Sequence, residues 1–278
     1  MGISLRTNVA SIRANTHLSS TNQQLGDSMT RLSSGLRINS AGDDAAGLAI
    51  SEKLKSAIRS IQQTERNAMD GISLIQTAEG ALSEVSNILM RMRELAIQGA
   101  TDTVSNEQKT FLQEEFEQLK LEIGRIGQTA EFNGLTLLSG NFNSTNAITF
   151  QVGLTGDSAQ QINVSLATMT PTALGVGSIS ITSSDLGRAA LSVIDGAIQN
   201  LSARRAVMGA AQNRLQVAIN NMNTQFANVS ASNSRIRDVD VAEETAEMTK
   251  NNILMQAGVS VLAQANQIPQ LALQLLGG

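Results

Sequence analysis

The chain has no Cys, no Trp and no Tyr, and only one His and two Pro among its 278 residues. Without Cys there is no disulfide framework, no thiolate metal site and no thiol nucleophile. A single imidazole, His17, is too little for a zinc site, which usually takes more than one, and leaves a His-based triad nowhere else to form. Aromatic residues make up 2% of the chain, which leaves little for base-stacking platforms or aromatic cages. A formal net charge of −4 is the wrong sign for a nucleic-acid binder. No apolar run reaches the roughly 18 to 20 residues of a membrane span. The first 30 residues are polar and lack the apolar core of a cleavable secretion signal.

What is present is aliphatic and periodic. Leu191, Ile194, Ile198, Leu201, Arg205, Met208, Gln212, Leu215, Ile219, Met222, Phe226, Val229, Asn233 and Ile236 alternate steps of three and four. This is a heptad seam with three polar interruptions. Ser184 or Asp185 is expected to cap its start. A helix over that span would be roughly 70 Å long, whereas a globule of this chain length would be roughly 50 Å across, so an elongated molecule is expected. Ile58, Ile61, Ala68, Ile72, Ile75, Ala78, Leu82, Val85, Leu89, Met92 and Ala96 keep a similar seam, with Glu65 as its exception. Gly99 to Asp102 should end that helix, and Ser105 with Gln108 reads as a capping box opening a third. The fold class expected is mainly α: an elongated coiled-coil-like bundle of paired N- and C-terminal segments.

Between residues 130 and 184 only Glu131 and Asp157 are charged. Ala147–Val152 and Gln161–Leu166 alternate in the β manner around Gly156-Asp157-Ser158. Thr136–Leu138 and Ser178–Thr182 are further strand candidates, giving a small inserted β-hairpin region at about 130–184. At the ends, residues 1–42 carry four Arg and one acid, while Asp238, Asp240, Glu243, Glu244 and Glu247 form an acidic patch. No charge follows between Asn251 and Gly278. Ile253, Leu254, Val261, Leu262, Ile268 and Leu275 draw a helical stripe there, and an uncharged exposed helix calls for a partner. The basic and acidic ends should lie side by side. Two domains are expected: a discontinuous terminal domain, 1–42 plus 238–278, and a central one, 43–237.

No catalytic constellation emerges. His17 sits in a polar segment, Gly175-x-Gly177 has no following Lys, and Asp43-Asp44 reads as a turn or cap rather than a carboxylate pair. Arg205 reads as a registry-setting polar position on the seam. No cofactor, metal site or enzyme activity is expected.

The same residues resemble a known family. Ile12-Arg13-Ala14-Asn15, the run Arg31 to Ala41, and Asp43 to Ile50 are similar to the N-terminal region of bacterial flagellin. Arg91 to Gln98, Phe132-Asn133-Gly134, Phe150 to Gly153, Ser234-Arg235-Ile236 and Ala257 to Gln267 continue the likeness. The large outer domains that many flagellins insert are absent, with only a short loop near Thr170–Ser178. The resemblance implies a subunit that self-assembles into the extracellular flagellar filament, exported through the flagellar type III apparatus. Partners implied are the chain itself, an export chaperone, and the cap and hook-junction proteins. The resemblance also implies that the terminal stripe serves polymerisation, and that Arg91, Leu95 and Glu115 align with positions engaging Toll-like receptor 5 (TLR5). A hook–filament junction protein and a non-polymerising coiled-coil adaptor are the alternatives.

Overall fold

The computed structural model describes residues 7–143 and 145–276, with the side chains of 268–276 left aside. Five helices carry the fold: α1 (Val9–Ser34), α2 (Ala45–Gly99), α3 (Asn106–Thr129), α4 (Ser184–Arg237) and α5 (Val241–Leu276). Two small antiparallel pairs interrupt them: β1 (Glu131–Phe132) with β2 (Leu135–Thr136), and β3 (Ile148–Gln151) with β4 (Gln161–Val164). The chain divides into two compact units, residues 58–227 and the combined segments 1–57 and 228–278.

The central unit is built on the two long seams. From α2, Ile61, Ala68, Ile75, Ala78, Leu82, Val85, Leu89, Met92 and Ala96 are buried. From α4, Ile194, Leu201, Met208, Leu215, Ile219 and Met222 are buried. Alternating three-four spacing puts each set on one stripe, which buries only against another stripe. Arg205, on the α4 seam, reaches Glu79 of α2 at 3.4 Å. Helix α3 opens with the capping box: the Ser105 hydroxyl accepts from the Gln108 amide, and the Gln108 side chain accepts from the Ser105 amide. It then buries Phe116, Ile123 and two lysines, Lys109 and Lys120. At Gly71 a Cβ would come within 3.1 Å of both Leu215 and Phe150. Glycine there lets α2, α4 and β3 meet closely.

The strand expectations hold in part. The β3–β4 pair lies inside the two alternating segments, in the register Ile148↔Val164 to Gln151↔Gln161. Ile162 and Val164 turn inward, while Thr149 and Asn163 hydrogen-bond across the outer face at 2.9 Å. The β1–β2 hairpin turns on Asn133 and Gly134, both at positive φ, as a two-residue turn of the I′ class requires. Ser178–Thr182 is not a strand. Side chains of α3 hold that segment instead: the Lys120 ammonium donates to the Ile179 carbonyl and the Gln113 side chain accepts from the Ile181 amide. The cap of α4 is neither Ser184 nor Asp185. The Ser183 hydroxyl accepts from the Leu186 amide.

Helix α1 ends at Gly35, whose φ of +72° is left-handed and whose amide closes on the Arg31 carbonyl, the usual glycine stop. Leu36 and Asp238 then form a β-bridge, flanked by bonds from the Arg37 amide to the Arg237 carbonyl and from the Val239 amide to the Gly35 carbonyl. Helices α1 and α5 pack against each other.

Candidate interaction surfaces

The α1–α5 pair runs antiparallel. Arg31 lies 3.8 Å from Glu244, Leu18 lies against Gly258, and the Asn8 side chain donates to the Ala265 carbonyl at 2.8 Å. On α5 the shielded positions are Glu244, Met248, Asn251, Met255, Gly258, Leu262 and Ala265, steps of four and three. On α1 they are Ser11, Ala14, Leu18, Thr21, Leu25, Ser28 and Leu32, again a heptad seam. Most of these residues are small or polar.

Leu18, Leu25, Leu32 and Leu262 are on the seam, but several other aliphatics point away. Ile253 is 61% exposed and Val261 57%, with Leu254, Val241 and Val259 similarly open. On α1, Val9, Ile12 and Met29 are also exposed. Of the expected stripe, Leu262 alone belongs to the intrachain seam, while Ile253, Leu254 and Val261 form an outward apolar face. The Ile268 and Leu275 side chains fall outside the described residues.

The Asp43-Asp44 pair is structural. Asp43 Oδ2 accepts from the amides of Asn39 and Ser40 and from the Ser40 hydroxyl, at 2.8–3.1 Å. The backbone bond from Ser40, then that from Asn39, holds its carboxyl below the usual carboxylate range. Asp44 accepts from the Gly47 amide at 2.8 Å and caps α2. His17 is exposed, in mid-helix.

In the central unit, Arg91 and Glu115 do come together. Arg91 Nε donates to Glu115 at 2.8 Å, and another guanidinium nitrogen reaches Glu94 at 2.9 Å. These bonds, Glu115's first, raise the Arg91 pKa above its already high ordinary value, and the ion pair lies on the surface. Leu95 is elsewhere: at 1% exposure it belongs to the core. Glu94, Met90 and Ile97 on α2 and Phe111 on α3 also have open side chains. The i,i+3 spacing of Arg91 and Glu94 signalled the first of these. Nothing local signalled Phe111. Among the described residues no helix is long and apolar enough to cross a membrane.

Comparison with known proteins shows the family. A family model for the bacterial flagellin N-terminal helical region matches residues 5–143, and one for the bacterial flagellin C-terminal helical region matches residues 191–276. The chain belongs to the bacterial flagellins. Flagellin of Bacillus subtilis is 46% identical over 97% of this chain and 98% of its own. The flagellar filament 33 kDa core protein of Treponema phagedenis is 42% identical over 97% and 98%. The crystal structure of Bacillus cereus flagellin is 31% identical and covers 60% of this chain and 94% of that one, with a TM-score of 0.49. This flagellin is thus a structural subunit of the flagellar filament, of the compact kind without large outer domains.

Proposed function

We propose that this flagellin is secreted and polymerises outside the cell through the outward faces of α1 and α5. The observation that carries this reading is the inverted pairing of the terminal unit. Small and polar residues share the inward seam with Leu18, Leu25, Leu32, Met248, Met255 and Leu262, while Ile253, Leu254 and Val261 face out. In water such a face is a liability; against the terminal helices of neighbouring copies it is a contact surface. Head-to-tail contacts of this kind need not close, so they propagate into a filament. The same face would be covered in turn by an export chaperone before assembly and by cap or hook-junction proteins at the filament ends. Arg91 and Glu115 would present a charged pair to TLR5 where it is left open, with Leu95 supporting the helix from beneath.

The test is seeded growth of the full-length chain carrying Ile253→Lys and Val261→Lys, followed by electron microscopy. Loss of elongation with central-unit helicity intact is expected. Undiminished growth would remove this face from the polymer contact. A wild-type chain that stays monomeric or forms closed oligomers would instead favour a soluble coiled-coil adaptor.

A further inference from the structure

We infer that the cleft between α1 and α5 binds a small aliphatic polyamine. The cleft, of about 460 Å³, lies wholly within the terminal unit. Among the described residues that line it are five carboxylates, Asp27 on α1 and four between positions 240 and 247, against two cations, Arg31 and Arg37. Part of that charge is already committed. Asp240 Oδ1 accepts from the amides of Ala242 and Glu243. Arg31 stands 3.8 Å from Glu244, and Arg37 donates to the Ile236 carbonyl at 2.9 Å. Asp27 and Glu243 keep no side-chain partner among the described residues, and Glu247 meets only the exposed Lys250.

Asn251 also lines this acidic cleft, 1% exposed and with neither Nδ2 nor Oδ1 bonded. Buried polar atoms are nearly always paired, so an orphaned amide on the wall of a charged cleft marks a ligand position. An ammonium supplies the N–H that Oδ1 lacks, and a water carried with it supplies an acceptor for Nδ2. The spacing selects the kind of cation. Glu243, Glu247 and Asn251 follow steps of four along α5, so they stand about one helical turn of 5.4 Å apart. Three or four methylenes hold successive ammonium groups of an aliphatic polyamine at about that same separation. A compact ion needs its ligands gathered at one point, and among the described residues no three carboxylate or imidazole side chains gather so. The site is separate from the outward apolar face of Ile253, Leu254 and Val261.

The experiment is equilibrium dialysis of labelled spermidine against the full-length chain, as soluble subunit and as filament, at matched ionic strength. Wild type should bind it saturably, at one site per chain, in at least one form. Asp27→Asn and Glu247→Gln, which keep side-chain shape, should each weaken binding about tenfold or more. Glu84→Gln, at an exposed carboxylate of the central unit, should leave it unchanged. No saturable binding in either form would overturn the inference, as would equal weakening by Glu84→Gln, which means diffuse charge alone. Magnesium or propylamine competing as well as spermidine would overturn it in favour of a simple cation site. Circular dichroism checks each variant; where one loses helicity, the other decides.

Discussion

The central and terminal units use the same heptad spacing to opposite ends. In the central unit the seam positions are Ile75, Leu82, Leu89 and Met92 on α2 and Ile194, Leu201, Met208 and Leu215 on α4, all 3% exposed or less. In the terminal unit, Ser28 and Asn251 share such positions with Leu18, Leu25, Leu32 and Leu262, while Ile253, Leu254 and Val261 look outward. The first arrangement gathers its apolar surface within one chain. The second leaves part of it exposed, at Ile253, Leu254 and Val261. Periodicity alone therefore says that helices pair; the size of the residues on the seam says whether the pair can stand alone.

The sharpest break of this comparison is deletion of residues 251–278. Polymerisation should be abolished while the central unit's thermal midpoint stays where it was; seeded electron microscopy and circular dichroism read the two. Next comes a single core truncation. Leu89→Ala should cost about 2–5 kcal/mol in denaturant unfolding, whereas Ile253→Ala, exposed in the unassembled chain, should change it by less than about 0.5 kcal/mol. Removing the α3 cap with Ser105→Ala is expected to cost about 1 kcal/mol, read in the same experiment.

Much of this was legible in the sequence. The α2 and α4 seams could be traced residue by residue because long aliphatics recur at steps of three and four. The Ser105–Gln108 box marked the start of α3 because a capping pair needs only local chemistry. Other features depend on distant groups. Ser178–Thr182 has strand-forming residues but no strand beside it, and side chains from α3 hold it instead. Leu95 looked like part of an exposed recognition motif, yet its helical position turns it into the core. The α5 stripe was visible as apolar periodicity, but the side facing α1 was hidden, because Asn251, Gly258 and Ala265 carry no strong apolar signal.

Smaller effects refine the comparison. In the terminal unit, the turn built on Asp43 should weaken with acid. Its folded-state carboxyl titrates below the ordinary carboxylate range, so its stabilising contribution is present above that range and fades as pH falls through the lower folded-state pKa. Amide exchange at Asn39 and Ser40 between pH 5 and pH 2, corrected for intrinsic rates, should show the loosening, and Asp43→Asn should show it already at pH 5. In the central unit, Arg91→Ala should shift the unfolding midpoint little, since the ion pair is surface-exposed and screened by solvent. The same variant should signal less than wild type in a TLR5 reporter assay, and an unchanged dose response would remove Arg91 from that surface.

The most direct test of the central claim is amide hydrogen exchange on the same protein before and after polymerisation. Amides of α2 from Ile75 to Ala96 and of α4 from Ile194 to Leu215 should be strongly protected in both states. Those of α1 and α5 should be weakly protected in the unassembled subunit and strongly protected in the filament. Equal, strong protection of α1 and α5 in both states would contradict the account.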